Sequence, residues 1–185
     1  MSGTIWLITE DEYDFKVVQQ IVLRKKIIVG LKWRPMTGGS GGISRLADQL
    51  ERIIKSLVHE KGKQDCIAVL HDADTYRQPN RETYNEIRRI CKQYKIAHIT
   101  ADDEMESWLL SDAGLCNWLA IKHEICDALK APSKELERLL KKKNQHLKYQ
   151  GRYRDEILKH LDGNILSPSL KEALKYLENA PCMRK

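Results

Sequence analysis

Four short, apolar, β-branched runs, TIWLIT (4–9), IIVGLKW (27–33), CIAVLHD (66–72) and KIAHITA (95–101), are each followed by a stretch of helical periodicity. After the first run, Phe15, Val18, Ile21 and Val22 recur at helical spacing. After the second, RPMTGGSGG reads as a turn-rich loop, and Ser44 can cap a helix with Leu46, Leu50, Ile53, Ile54 and Leu57 on one face. RETYNEIRRICKQY supplies the third helix and EMESWLLSD begins a fourth. Strands alternating with helices in this way predict an α/β fold: a mostly parallel, Rossmann-like sheet with helices on both faces. Right-handed crossovers then gather the C-terminal ends of the strands at one edge. From residue 113 the β-rich runs stop, and helical periodicities remain, broken by Pro132, Gly151, Gly163 and Pro168. The expected organisation is an α/β domain over 1–112 with an α-helical C-terminal extension over 113–185 packed on it.

The acidic residues follow that topology. Glu10, Asp11 and Asp14 come after the first strand, Asp72 and Asp74 after the third, and Asp102, Asp103, Glu104 and Glu106 after the fourth. Three acidic clusters are thus expected at the edge where open α/β sheets bind ligands. Crowded carboxylates repel one another unless a cation sits among them, and all-oxygen ligands favour Mg²⁺ or Mn²⁺ over zinc. Helix capping is the competing explanation, and it suits Asp11, Glu12, Asp102 and Asp103, each of which precedes a helix. Glu10 and Asp72 differ because each stands where an apolar run ends. Asp74 shares a face with Asp72 on an extended segment, and Asp14 lies one helical turn beyond Glu10. Glu106 is either a further ligand or a helix-surface residue. His71 alternates away from Asp72 and is expected in the core, and Trp108 is expected to pack its helix on the sheet.

Composition bounds the remaining choices. Thirty-two Lys and Arg face 26 Asp and Glu, a formal charge of +6 that leans toward an anionic partner. No apolar run approaches the roughly 18–20 residues that span a bilayer, and the first residues lack a basic segment followed by a long apolar one. A cytoplasmic location is expected, with no membrane partner. Cys66, Cys91, Cys116, Cys126 and Cys182 contain no CxxC pair and read as reduced, structural thiols. The glycine cluster TGGSGG lacks the GxxxxGK[ST] pattern of a phosphate loop and is taken as a plain loop.

A lone DxD also serves sugar-nucleotide transferases and phosphohydrolases. The phosphohydrolase pattern would need Thr one place later than Thr75, on a first strand rather than a third. A receiver domain would need a fifth strand ending in Lys, which is not evident. The combination of LITE, with Glu10 closing the first strand, and HDAD, with Asp72 and Asp74 closing the third, resembles the Toprim fold of topoisomerases, bacterial primases and several nucleases. ITEDEYD is similar to the opening motif of the nuclease branch related to overcoming-lysogenization-defect (OLD) proteins, and DDEMESWLLSD to a segment of its small stand-alone relatives. APSKEL and LKYQGRYRDEI loosely match stretches that follow in those relatives. Many Toprim proteins have Gly after the Glu; here Asp11 stands there.

The resemblance implies a metal-dependent nuclease that hydrolyses phosphodiesters, with an effector role in defence against phage or mobile DNA as one setting. Glu10, Asp72 and Asp74 would be catalytic, and with Asp14 and Glu106 they would hold one or two Mg²⁺ or Mn²⁺ ions. Nucleic acid, DNA ahead of RNA, would be the partner. Lys32, Arg34, Lys134, Lys148 and Arg152 are the expected contacts of that polyanion. Two other expectations stand beside this one: a non-catalytic or partner-activated Toprim subunit working with a separate ATPase, and an RNA-processing Toprim enzyme. A homodimer is compatible with each.

Overall fold

The computed structural model describes residues 3–37, 42–73, 81–102, 104–124, 131–144 and 152–183. Four strands, β1 (Thr4–Thr9), β2 (Gly30–Trp33), β3 (Cys66–Asp72) and β4 (Ala97–Ala101), form one all-parallel sheet in the order β2-β1-β3-β4. Among the described residues eight α-helices accompany it: α1 (Glu12–Arg24), α2 (Ile43–Glu60), α3 (Arg81–Tyr94), α4 (Met105–Leu110), α5 (Ala113–Leu119), α6 (Pro132–Lys143), α7 (Arg152–Lys159) and α8 (Pro168–Asn179). This is a Rossmann-like α/β architecture, as the alternation of strands and helices predicts.

The period-2 alternation of the strands sorts the core into two layers. Ile8, Ile67 and Val69 face α2 and α3, burying Leu46, Leu50, Ile54, Leu57, Ile87 and Ile90. Ile5, Leu7, Ala68 and Leu70 face the opposite layer, built from α1 and α4 to α8. Burial on both faces explains the near-continuous apolar runs of β1 and β3. The helices after residue 113 build no core of their own. Leu136, Leu140, Ile157, Leu170 and Leu177 join the same buried cluster as Ile5 and Leu7.

Asp112 fixes where this extension begins. Its fully buried carboxylate accepts from Leu115 N–H (2.9 Å) as the N-cap of α5, and from Asp162 N–H (3.2 Å) and Gly163 N–H (2.9 Å) of the turn after α7. Residues 111–113 also pair antiparallel with 164–166. Gly114 is needed there, because a Cβ on it would lie 2.3 Å from the His160 carbonyl oxygen. One local expectation is corrected. Ser44 lies inside α2, and the N-cap is Gly42, whose φ of 135° suits glycine.

Cys66, Cys91, Cys116 and Cys182 form no disulfide. No helix among the described residues is long and apolar enough to cross a membrane.

Candidate metal centre

Three elements deliver carboxylates to one edge of the sheet. The chain leaves β1 through Glu10 and turns into α1 at Asp11. That turn is fixed by a capping box, in which Asp11 Oδ1 accepts from Asp14 N–H (3.0 Å) and Asp14 Oδ2 from Asp11 N–H (3.4 Å). The Thr9 hydroxyl donates to the Asp11 carbonyl (2.5 Å) and accepts from Trp33 Nε1 (3.0 Å), bracing the same turn against β2. Asp11 is therefore the capping residue that its place before a helix suggested.

Asp72 closes β3, and its backbone N–H donates to Glu10 Oε1 (3.2 Å), which joins the acid after the first strand to the acid after the third. Asp72 Oδ1 accepts from Met105 N–H (2.7 Å) in the first turn of α4. That donor orients the carboxylate, and the helix N-terminus favours its charge. Glu106, one residue further on, is 9% exposed and turned inward. Its charge acts on both Asp14 and Asp72, so of the two sequence readings the structure places it with the carboxylates and not on a solvated helix face.

Electrostatics defines the cluster more sharply than any single distance. Burial pushes the carboxyls of Asp14 and Asp72 well above the usual range. Asp11, Glu10 and Glu106 raise Asp14 further, while Asp14, Glu106 and Glu10 do the same to Asp72. Each keeps some surface open to the crevice but has protein on its remaining sides, so mutual repulsion is poorly screened there. Four oxygen-ligand side chains that cannot all ionise without a counter-charge fit a hard divalent cation by donor type and by charge. Among the described residues no three His, Cys, Asp or Glu side chains stand close enough together to hold an ion as they are placed. Asp74 lies outside the described residues, as do Lys148 and the side chain of Arg152.

The basic residues divide into near and far. Lys32 Nζ sits 4.9 Å over the Trp6 ring and acts on Asp65, before the start of β3, at the end of the strand remote from Asp72. Arg34 makes paired bonds to Glu60 (2.9 and 3.0 Å) and one to Ser56 (3.1 Å) near the end of α2. Both heads are engaged away from the carboxylates. Lys134 is exposed in the first turn of α6, next to Ser133, whose N–H donates to the buried Glu104 (2.8 Å) just before α4. The best placed cation is Arg154 of α7. Its Nη1 donates to Asp11 Oδ2 (3.1 Å), its guanidinium lies 4.6 Å over the Tyr13 ring, and its carbonyl accepts from the Tyr13 hydroxyl (3.4 Å). No local pattern announces this residue, because 143 positions separate it from Asp11.

His71 is in the core, as its alternation predicts. Its Nδ1 lies 2.6 Å from the Asp72 carbonyl oxygen, which can only accept, so Nδ1 carries the proton. Burial pushes its pKa down to about 4, which leaves Nε2 as an acceptor, 2.7 Å from His98 Nε2. His98 must donate there. The pair fixes the backbone of the residue that carries the Asp72 carboxylate. Trp108 is fully buried, and its Nε1 donates to Ser169 (2.8 Å) on α8, locking α4 against the sheet as its apolar setting predicts.

Compared with protein-family models, with curated proteins and with solved structures, the chain matches none.

Proposed function

We propose that the protein is a metal-dependent nuclease that hydrolyses phosphodiester bonds, with Glu10, Asp14, Asp72 and Glu106 holding Mg²⁺ or Mn²⁺ together with Asp74. The observation that carries this reading is the mutual destabilisation of buried carboxylates at the C-terminal ends of β1 and β3 and the start of α4. A structural role would not gather acids where their neighbours raise the pKa values of Asp14 and Asp72. The order of Glu10 and the Asp72, Asp74 pair resembles the Toprim pattern and supports the same reading. Bound at this edge, such an ion would supply charge neutralisation to a phosphate and would lower the pKa of water.

The chain's own residues do the rest. Met105 N–H and the His71–Asp72 contact hold the Asp72 carboxylate in one direction, and the Asp72 N–H holds Glu10. Arg154 and Lys134 offer the positive rim that a polyanion needs on its way to an acidic pocket. Arg154 is the stronger of the two, since Asp11 and Tyr13 hold its guanidinium in place before any phosphate arrives.

The reading is tested by incubating the full chain with plasmid DNA and with structured RNA in Mn²⁺, in Mg²⁺ and in EDTA, beside Glu10→Ala and Asp72→Ala. Cutting should require the metal and vanish in both variants. Metal-dependent cutting that survives both substitutions would remove these residues from the site, and absence of cutting on either polymer would remove the activity. Arg154→Ala should weaken DNA binding in Ca²⁺ by about tenfold, roughly 1.4 kcal/mol, with a shallower salt dependence. Arg154→Lys should recover part of the affinity. An unchanged salt slope in Arg154→Ala would show that the side chain only ties α7 to α1.

A further inference from the structure

Among the described residues β4 ends the sheet, and no strand pairs with its outer edge. The carbonyl of Ala101 accepts from Ala73 N–H (2.8 Å) on the β3 side. Because successive residues of a strand present their backbone groups to opposite sides, the N–H and C=O of His98 and Thr100 point away from β3. Among the described residues, neither another strand nor a side chain takes up these four groups. The next outward donor, Asp102 N–H, is already met by the Ser169 hydroxyl of α8 at 3.2 Å. α8 therefore overhangs the edge at its C-terminal end and leaves the rest uncovered.

The uncovered part is a cavity. A space of about 600 Å³ runs along residues 97–100 and Asp102 on one side and along Ser169, Glu172 and Tyr176 of α8 on the other. That is the size of a ligand pocket, yet its wall is a strand edge with unused donors and acceptors in alternation. Unpaired edges of this kind invite another strand unless charge, a bulge or a covering element blocks them. Here α8 meets the edge directly only at Asp102, through Ser169, and the cavity separates it from His98 and Thr100.

Charge selects the occupant. Asp102 and Glu172 line the cavity and no Lys or Arg does, in a chain whose formal charge is +6. Burial, and after it the charge of Arg88, holds His98 below its usual pKa. A nucleic-acid strand would meet two carboxylates, with no Lys or Arg lining the groove. A second copy related by a twofold axis would set the same acids against each other. We propose that the β4 edge and α8 form a docking groove for an extended, basic segment of a partner protein, which adds to the sheet as a fifth strand. Its backbone would pair with His98 and Thr100, and its Lys or Arg side chains, alternating toward α8, would meet Glu172 and Asp102. This surface lies along the side of the sheet, not at the carboxylate cluster, and it stands whether or not the nuclease reading does.

Three synthetic eight-residue peptides test it on the full chain: Lys-Val-Lys-Thr-Lys-Val-Lys-Thr, the same sequence with Glu for Lys, and the basic sequence with Pro for both Val residues. Amide exchange is followed by NMR. The basic peptide should slow exchange at His98 and Thr100 by about tenfold or more, while Ile99 and Ala101, already bonded to β3, stay unchanged. The acidic and proline peptides should give no such protection. Glu172→Lys, an exposed position, should weaken the basic peptide's binding by about fivefold or more with an unchanged melting temperature. Equal binding of the acidic peptide overturns the proposal. So does binding without protection at those two amides, or no binding of the basic peptide at concentrations on the order of 1 mM. Protection of the same amides by concentration-dependent self-association, without peptide, would assign the edge to a second copy and overturn the basic occupant.

Discussion

On the proposed nuclease reading, Asp72→Asn should abolish metal-dependent cleavage and, in the metal-free protein, raise the melting temperature by a few degrees at neutral pH. The two effects have one cause. Asn keeps an oxygen that can accept the Met105 N–H (2.7 Å in the parent), so the local geometry survives. What disappears is one of the buried charges that Asp14, Glu10 and Glu106 oppose. Cleavage should fall by at least about 10²-fold, the scale seen when one electrostatic stabiliser of a transition state is removed.

The sign of the stability change follows from linkage. Asp14 and Asp72 have folded pKa values above their ordinary value of 3.8, so the folded chain keeps protons that the unfolded chain releases. Stability of the metal-free protein is thus full below that value and declines as pH rises through the raised folded values. Asp72→Asn flattens the decline. Mn²⁺ should do the same for the parent, because an ion at one hundred times its dissociation constant adds about 2.7 kcal/mol. That corresponds to a rise of roughly 5–10 °C for a chain of this size. Calorimetry across pH, with and without Mn²⁺, checks both. A variant that melts lower than the parent in EDTA at neutral pH would show that the carboxylates are not in conflict.

The second large effect is on stability alone. Asp112→Ala orphans two buried donors, the N–H groups of Leu115 and Gly163, and a part-buried one, the N–H of Asp162. Each buried donor costs about 1–3 kcal/mol when left without an acceptor, whereas the Asp162 N–H can turn to water, so a loss on the order of 3 kcal/mol is expected, after the smaller gain from no longer burying a carboxylate. Asp112→Asn separates the contributions. Oδ1 receives Leu115 and Asp162, and Asn keeps that oxygen, whereas Oδ2 receives Gly163 and becomes an NH₂ facing an N–H. Chemical denaturation should rank the parent above Asp112→Asn and Asp112→Asn above Asp112→Ala. Equal midpoints for all three would mean that the antiparallel pairing of 111–113 with 164–166 holds the extension without the carboxylate.

Asp112 also shows how a residue can be visible in the sequence for the wrong reason. It closes the EMESWLLSD segment that contributed to a family resemblance, and nothing in that segment reveals that its acid reaches fifty residues ahead to Asp162 and Gly163. The local signal, an Asp just before a helical run, specifies only the cap of α5. Arg154 is the converse case. It sits in a Lys- and Arg-rich stretch from which the sequence favours Lys148 and Arg152 instead, and only the packing of α7 on α1 distinguishes it. Lys32 and Arg34 follow the same rule with the opposite outcome. They emerge from β2 as expected, but their long side chains reach Trp6 and Glu60.

The sequence by itself determined the sheet, the two-layer core and the chain positions of Glu10, Asp14, Asp72 and Glu106, because strand and helix periods are local properties and a parallel topology then carries each strand's end to a common edge. Only the tertiary structure decided which of those carboxylates destabilise one another, which cation stands beside them, and that among the described residues β4 ends the sheet with the backbone groups of His98 and Thr100 unused. Charge interaction and hydrogen bonding depend on distances of a few ångströms between residues tens to more than a hundred positions apart, and local periodicity does not encode such distances.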